Sequence, residues 1–187
     1  MQSRIKHVRV TAISDLLCLW LLPTLAGSDK EATSDPWMPI RSFVGEWEGT
    51  SQGEAGTGNV KRTHAFALKD RYLHEKNVST YPPRGNSRGE VHEHWGFFSY
   101  DRARKVLVLR QFHQEGFVNR YTLNQQISKP GKLVFENEQF ENFDNNWRAR
   151  ETYEISSADE FVEIFELATP GKSFTVYSRN HFKRVKK

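Results

Sequence analysis

The sequence predicts an all-β fold, an antiparallel up-and-down barrel of about ten strands, and three observations lead there. Segments rich in β-branched and aromatic residues recur from Gly45 onward. Turn-forming residues separate them about every 8 to 12 residues, the spacing of hairpin-linked strands. No helix-length apolar period interrupts the pattern, and an open sheet of that many strands would carry two long edges that closure removes.

Strands are expected near 45–52, 58–68, 71–80, 90–100, 104–114, 116–126, 131–139, 146–156, 160–168 and 172–184. Between them stand Lys69-Asp70, Asp101-Arg102-Ala103, Glu115-Gly116, Lys129-Pro130-Gly131, Asp144-Asn145 and Pro170-Gly171. These residues tolerate positive φ or preset it, so consecutive strands should pair as antiparallel neighbours. In the eighth segment Trp147, Ala149, Tyr153 and Ile155 share one face, while Arg148, Arg150, Thr152 and Glu154 share the other. That alternation fits a strand with one side in the core, and it aims the carboxylate of Glu151 into the barrel.

The chain ahead of this pattern reads differently. Arg4, Lys6 and Arg9 precede an apolar stretch reaching Leu22, and Thr24-Leu25-Ala26 offers small residues before a cut. Residues 1–26 are therefore expected to be a secretory signal peptide, 27–35 a linker and 36–187 the barrel domain. A secreted or periplasmic protein follows. Of the 187 residues, 27 are Lys or Arg and 23 Asp or Glu, a net charge of +4 with no dense basic block outside the tail. Nucleic acid is not an expected partner. A lone Cys18 excludes an intrachain disulfide and a cysteine-built metal site. No apolar run approaches the roughly 20 residues of a membrane-crossing helix.

The first strand opens with Gly45-Glu46-Trp47-Glu48-Gly49 after the apolar lead-in Ile40, Phe43 and Val44. Further on stand Leu68-Lys69-Asp70-Arg71-Tyr72-Leu73-His74-Glu75, then Gly96, Tyr100-Asp101 and Lys105-Val106. These stretches resemble the calycin barrels, above all the nitrobindin family and related bacterial domains of unassigned function. The resemblance covers about Phe43 to Val185. It implies that Gly45 and Gly49 let backbones pass closely while Trp47 plugs one barrel end. It also implies haem held by a last-strand histidine, His181 being the only one near that place, with peroxide, nitric oxide or peroxynitrite chemistry. Ser51 stands where the family has a further glycine, and the family's ligand position aligns with Tyr177. A more distant likeness to fatty-acid-binding proteins places Arg179-x-His181 where that family anchors a carboxylate. The Gly-rich stretch from Thr50 to Asn59 has no room for its helical lid.

Two residue sets carry candidate chemistry. Tyr177, Arg179 and His181 alternate on the last strand, which would aim all three at one face, with Phe98, Tyr121 and Tyr153 lining the wall. That set suits a small, mostly apolar molecule with an acidic end. The other set is His92-x-His94, whose spacing puts both imidazoles on one face of a strand. If the following hairpin pairs residues summing to about 205, His113 sits opposite His92, and three histidines could hold zinc, iron or copper. His64 and His74 read as hydrogen-bonded packing residues. Asn77-Val78-Ser79 is a glycan acceptor sequon. No nucleophile elbow, phosphate loop or dinucleotide fingerprint is present, and no catalytic residue is assigned. The sequence thus reads as a binding protein that requires no cofactor, with a haem barrel and a histidine-metal enzyme as alternatives. A packed barrel serving as an interaction surface is the fourth reading.

Overall fold

The computed structural model describes residues 35–85, 88–144 and 146–186, so the expected signal peptide and nearly all of the linker lie outside the described residues. A short 3-10 helix, Met38–Phe43, precedes ten strands. They are β1 (Gly45–Gly53), β2 (Gly56–Ala67), β3 (Tyr72–Tyr81), β4 (Glu90–Asp101) and β5 (Val106–His113). β6 (Val118–Leu123), β7 (Lys132–Glu141), β8 (Arg148–Ser157), β9 (Glu160–Ala168) and β10 (Thr175–Arg184) complete the set. Each strand pairs antiparallel with its sequence neighbours, and β10 returns to β1 to close the barrel. The expected fold class is the observed one, with β5, β6, β8 and β10 starting two or three residues later than the sequence pattern placed them.

Closure brings β1 and β10 into close contact at Gly49, which pairs with Phe182. A Cβ at Gly49 would lie 1.8 Å from the carbonyl oxygen of His181, so only glycine admits this approach. The GxWxG motif thus marks the seam of the barrel. Trp47 closes the same end: it is buried, packs edge-on against Phe161 at 4.7 Å, and its indole N–H donates to the Phe43 carbonyl at 2.6 Å. Arg184 lies over the Trp47 ring at 4.2 Å and donates to the carbonyls of Ser42, Val44 and Ala158, tying the 3-10 helix to the last strand.

The interior is built in layers. At the closed end Phe43 reaches in from the 3-10 helix and meets Tyr153 at 5.2 Å and Phe161 at 5.0 Å, with Phe98, Phe135 and Phe182 around them. Phe98, Tyr121 and Tyr153 are all fully buried in this packed floor. They were expected to line a ligand cavity; instead Phe98 and Tyr153 pack against each other and against Phe43, and the Tyr121 hydroxyl lies 2.9 Å from the Asn119 amide. Trp47 and the aromatic floor exclude water from the closed end, a burial that drives the fold.

Above the floor the inward positions turn polar. Arg62 of β2 crosses the lumen to β9, where both oxygens of Glu163 accept its guanidinium at 2.7 and 2.9 Å. It also donates to Asn77 at 2.9 Å and lies over Phe182 at 4.5 Å, while Asn180 donates to Glu163 at 2.7 Å. Asn77 is therefore inside the barrel, 1% exposed, and its sequon cannot take a glycan in the folded state. A guanidinium stripped of water is tolerable here because a fork of two hydrogen bonds and an opposite charge replace the solvent.

Glu163→Gln would remove the two-point carboxylate fork and leave Arg62 with Glu75, 3.4 Å away, as its remaining counter-charge. Its unfolding free energy in urea should fall by about 3 kcal/mol. Glu160→Gln, on the solvent face, should change stability by less than about 1 kcal/mol. Equal effects would contradict the interior role.

Candidate metal centre

His92 and His94 sit on β4 in the same inward phase as Gly96 and Phe98, and His113 ends β5. The β4–β5 register pairs His94, not His92, with His113. The expected pairing is thus off by two residues, an even shift that keeps every side chain on its face and preserves the grouping. The three ring centroids form a triangle with sides of 5.2, 5.5 and 5.8 Å. One nitrogen from each ring lies within 4.8 Å of the other two.

The remote nitrogens identify which atoms converge. Nε2 of His94 bonds Oε1 of Glu75 at 3.0 Å, and Nδ1 of His92 bonds Oε1 of Glu115 at 2.8 Å. An ionised carboxylate only accepts, so these nitrogens carry the protons and leave lone pairs on His94 Nδ1 and His92 Nε2. His94 Nδ1 is buried without a partner. His92 Nε2 lies 3.4 Å from His113 Nδ1, matching the edge of about 3.3 Å expected between imidazole ligands of a tetrahedral zinc ion. The Nε2 of His113 meets the amide of Asn119, whose Nδ2 is 3.3 Å away and also 2.9 Å from the Tyr121 hydroxyl. A half-turn of that amide lets its oxygen, now buried and unpartnered, accept from both the imidazole and the phenol. His113 Nδ1, which is hydrogen-bonded to His92 Nε2 at 3.4 Å, would then give up that bond to serve as the third donor.

Glu75 organises this arrangement from the centre of the barrel. It is fully buried, and besides His94 it accepts from Nε2 of His64 at 2.8 Å. Burial alone would raise its pKa, but the Arg62 charge and the two imidazole hydrogen bonds hold the carboxyl well below the ordinary range. Its place depends on Gly96 across the β3–β4 pair: a Cβ there would stand 3.1 Å from both Cβ and Oε1 of Glu75. Partial burial likewise works against ionisation of Glu115, and the His92 hydrogen bond overcomes it. Burial, with His94 and His92 beside it, lowers the pKa of His113 to about 2, so this imidazole is an unprotonated base at any working pH. Carboxylates placed behind two of the imidazoles favour a divalent cation. Glu90, His92 and Glu115 form an overlapping, more exposed grouping at the rim.

The mouth above is partly apolar. Phe117 stacks on His113 at 4.1 Å and 17°, Phe143 meets Phe117 at 5.5 Å, and Trp147 meets Phe143 edge-on at 5.7 Å.

The last-strand set does not join this site. Asn180 and Phe182 point inward on β10, which leaves Arg179 and His181 on the solvent face. His181 bonds Glu160 at 2.6 Å and borders an outer-wall depression of about 530 Å³ with Lys61 and Lys183. Tyr177 falls at an irregularity between Val176 and Ser178, is 43% exposed, and rests edge-on against Phe165. The expectation that Arg179, His181 and Tyr177 anchor a ligand inside the barrel is therefore corrected, and His181 is not placed to ligate a haem held there. The one-residue phase error arises because residues 177–181 are polar on both faces. Phe182 followed by Lys183 was the signal that fixes the phase. Glu75, Arg62 and Glu163 were missed as site residues although Val60, Arg62 and His64 share one alternating face, as do Leu73, Glu75 and Asn77.

Comparison with known proteins supports the architecture. No family model matches the chain, and no curated protein matches it. Among solved structures it is similar to Rv2717c from M. tuberculosis, with a TM-score of 0.58 and 13% identity, covering 82% of this chain and 99% of that one. The chain is a β-barrel of that general form. At this identity the likeness carries the fold alone.

Glu151 gives the interior a pH signature. Burial, then the charges of Glu163 and Glu75, push its pKa well above the ordinary 4.5, and Tyr153 donates to it at 2.7 Å. The folded state keeps a proton that the unfolded chain releases, so this contribution is full below that ordinary value and is lost as pH rises towards the folded one. Glu151→Gln should therefore gain more melting temperature over wild type at about pH 8 than at about pH 4. A gain independent of pH would contradict a protonated Glu151.

Proposed function

We propose that this protein holds one transition-metal ion of the zinc, iron or copper class at His92, His94 and His113 in the barrel mouth, and binds a small molecule beside it. The observation that carries this reading is the second ring of partners: Glu75, Glu115 and Asn119 each occupy the remote nitrogen of one imidazole. Such partners fix tautomer and ring orientation in metal sites. A purely imidazole ligand set suits these ions, and three protein donors leave a coordination position open, as in catalytic rather than structural sites. An ion there would polarise a carbonyl or acidify a bound water. A barrel closed at one end by Trp47 and aromatic at the other suits the capture of a small, mostly apolar molecule. The buried guanidinium of Arg62 is already committed to Glu163, so it is not free to anchor an acidic end.

Protein freed of metal by chelation and dialysed against zinc should take up one equivalent, read by elemental analysis. Saturation at about 100 times the dissociation constant should add about 2.7 kcal/mol of stability. His94→Ala and His113→Ala should abolish stoichiometric uptake, and His181→Ala should leave it unchanged. Glu75→Gln and Gly96→Ala should each weaken affinity by about 10- to 100-fold, because both disturb the carboxylate behind His94. Uptake unaffected by His94→Ala would overturn the assignment.

A further inference from the structure

Directly beneath the three histidines the barrel wall carries a set of buried polar atoms that no protein group satisfies. Gln111, two residues before His113 on the same face of β5, is 1% exposed, and both its Nε2 and its Oε1 lack partners. It stands between Gly96 on β4 and Asn119 on β6. A buried amide with neither its donor nor its acceptor used is costly, and such sets are completed by water or by a guest.

The surroundings select the guest's charge. Glu75 lies across Gly96 with its two oxygens already accepting from His64 and His94, so a carboxylate head would meet acceptor oxygens there and no free donor. A cationic head would compete for the position proposed for the metal. An uncharged head that offers a donor beside an acceptor matches the free edge of Gln111. The Phe117, Phe143 and Trp147 rings at the rim offer an apolar seat one layer higher. The layers are separated by the two-residue rise of a strand, about 6.6 Å, roughly the reach from a six-membered ring to an amide edge attached to it.

We propose that Gln111 is the specificity-determining residue of a pocket for a neutral molecule with an amide edge, such as a primary amide or a lactam, on a flat apolar body. This deepens the metal-site reading and rests on it for the placement of the guest beside the ion. The Gln111 side chain forms a paired hydrogen bond with the amide edge, its Nε2 donating to the guest carbonyl and its Oε1 accepting from the guest N–H. The body stacks at the level of Phe117.

The test compares benzamide with acetophenone, which keeps the ring and carbonyl but replaces the N–H donor with a methyl group. Each is titrated by calorimetry and ligand-observed NMR into zinc-loaded and chelated protein, and into Gln111→Leu. Benzamide is expected to bind wild type about tenfold tighter than acetophenone, the scale of one buried hydrogen bond. Gln111→Leu should lose that preference while keeping its circular dichroism spectrum and zinc stoichiometry. Equal affinities in wild type, a preference that survives Gln111→Leu, or no binding of either probe would overturn the proposal. If Gln111→Leu does not fold, the wild-type comparison decides alone. A benzamide preference in protein that takes up no zinc would sink the metal reading and leave the amide pocket standing. One zinc per chain without the preference would do the reverse.

Discussion

One buried carboxylate holds the interior of this barrel together. Glu75 is fully buried at the centre of β3, and it reaches Arg62, His64 and His94 at once. Its charge is possible because the Arg62 guanidinium lies 3.4 Å away and two imidazole N–H groups replace water. Its position is possible because Gly96, opposite on β4, contributes no side chain. From that point the structure divides. Below lies an aromatic floor sealed by Phe43 and Trp47; above lies the histidine cluster, whose His94 tautomer Glu75 dictates. An alanine at 96 or an amide at 75 would therefore be felt at both levels.

The same logic explains why a chain this rich in interior charge folds as a closed barrel. An Arg62–Glu163 fork from β2 to β9 links strands far apart in sequence, and removing Arg62 would leave Glu163 and Glu75 as buried carboxylates with no cation between them. The polar layer is thus a constraint on which strands face each other, not a uniform source of stability. Glu151 sits in that layer with its pKa pushed well above the ordinary range, first by burial and then by the charges of Glu163 and Glu75, which works against a further negative charge inside.

Much of the fold was legible in the sequence. Turn residues such as Lys129-Pro130-Gly131 and the alternation around Tyr153 locate strands because both report backbone geometry directly. The GxWxG motif was legible for a related reason: a glycine at 49 is forced by the β1–β10 seam. The histidine grouping was also readable, since an i, i+2 spacing fixes a shared face whatever the exact register. The last strand was not. Its run from Tyr177 to His181 has no apolar face, so the sequence alternation is silent there, and the irregularity at Tyr177 further breaks the count. Buried partners such as Arg62 and Glu163, 101 residues apart, are a product of barrel closure and carry no local spacing to read.

The most direct test of the central claim is X-ray absorption at the zinc edge of protein loaded with one equivalent of the metal. Three imidazole nitrogens at about 2.0 to 2.1 Å with one exchangeable oxygen ligand would match the site built by His92, His94 and His113. A shell of oxygens alone, or the loss of no more than one imidazole contribution when His92, His94 and His113 are all replaced, would contradict it.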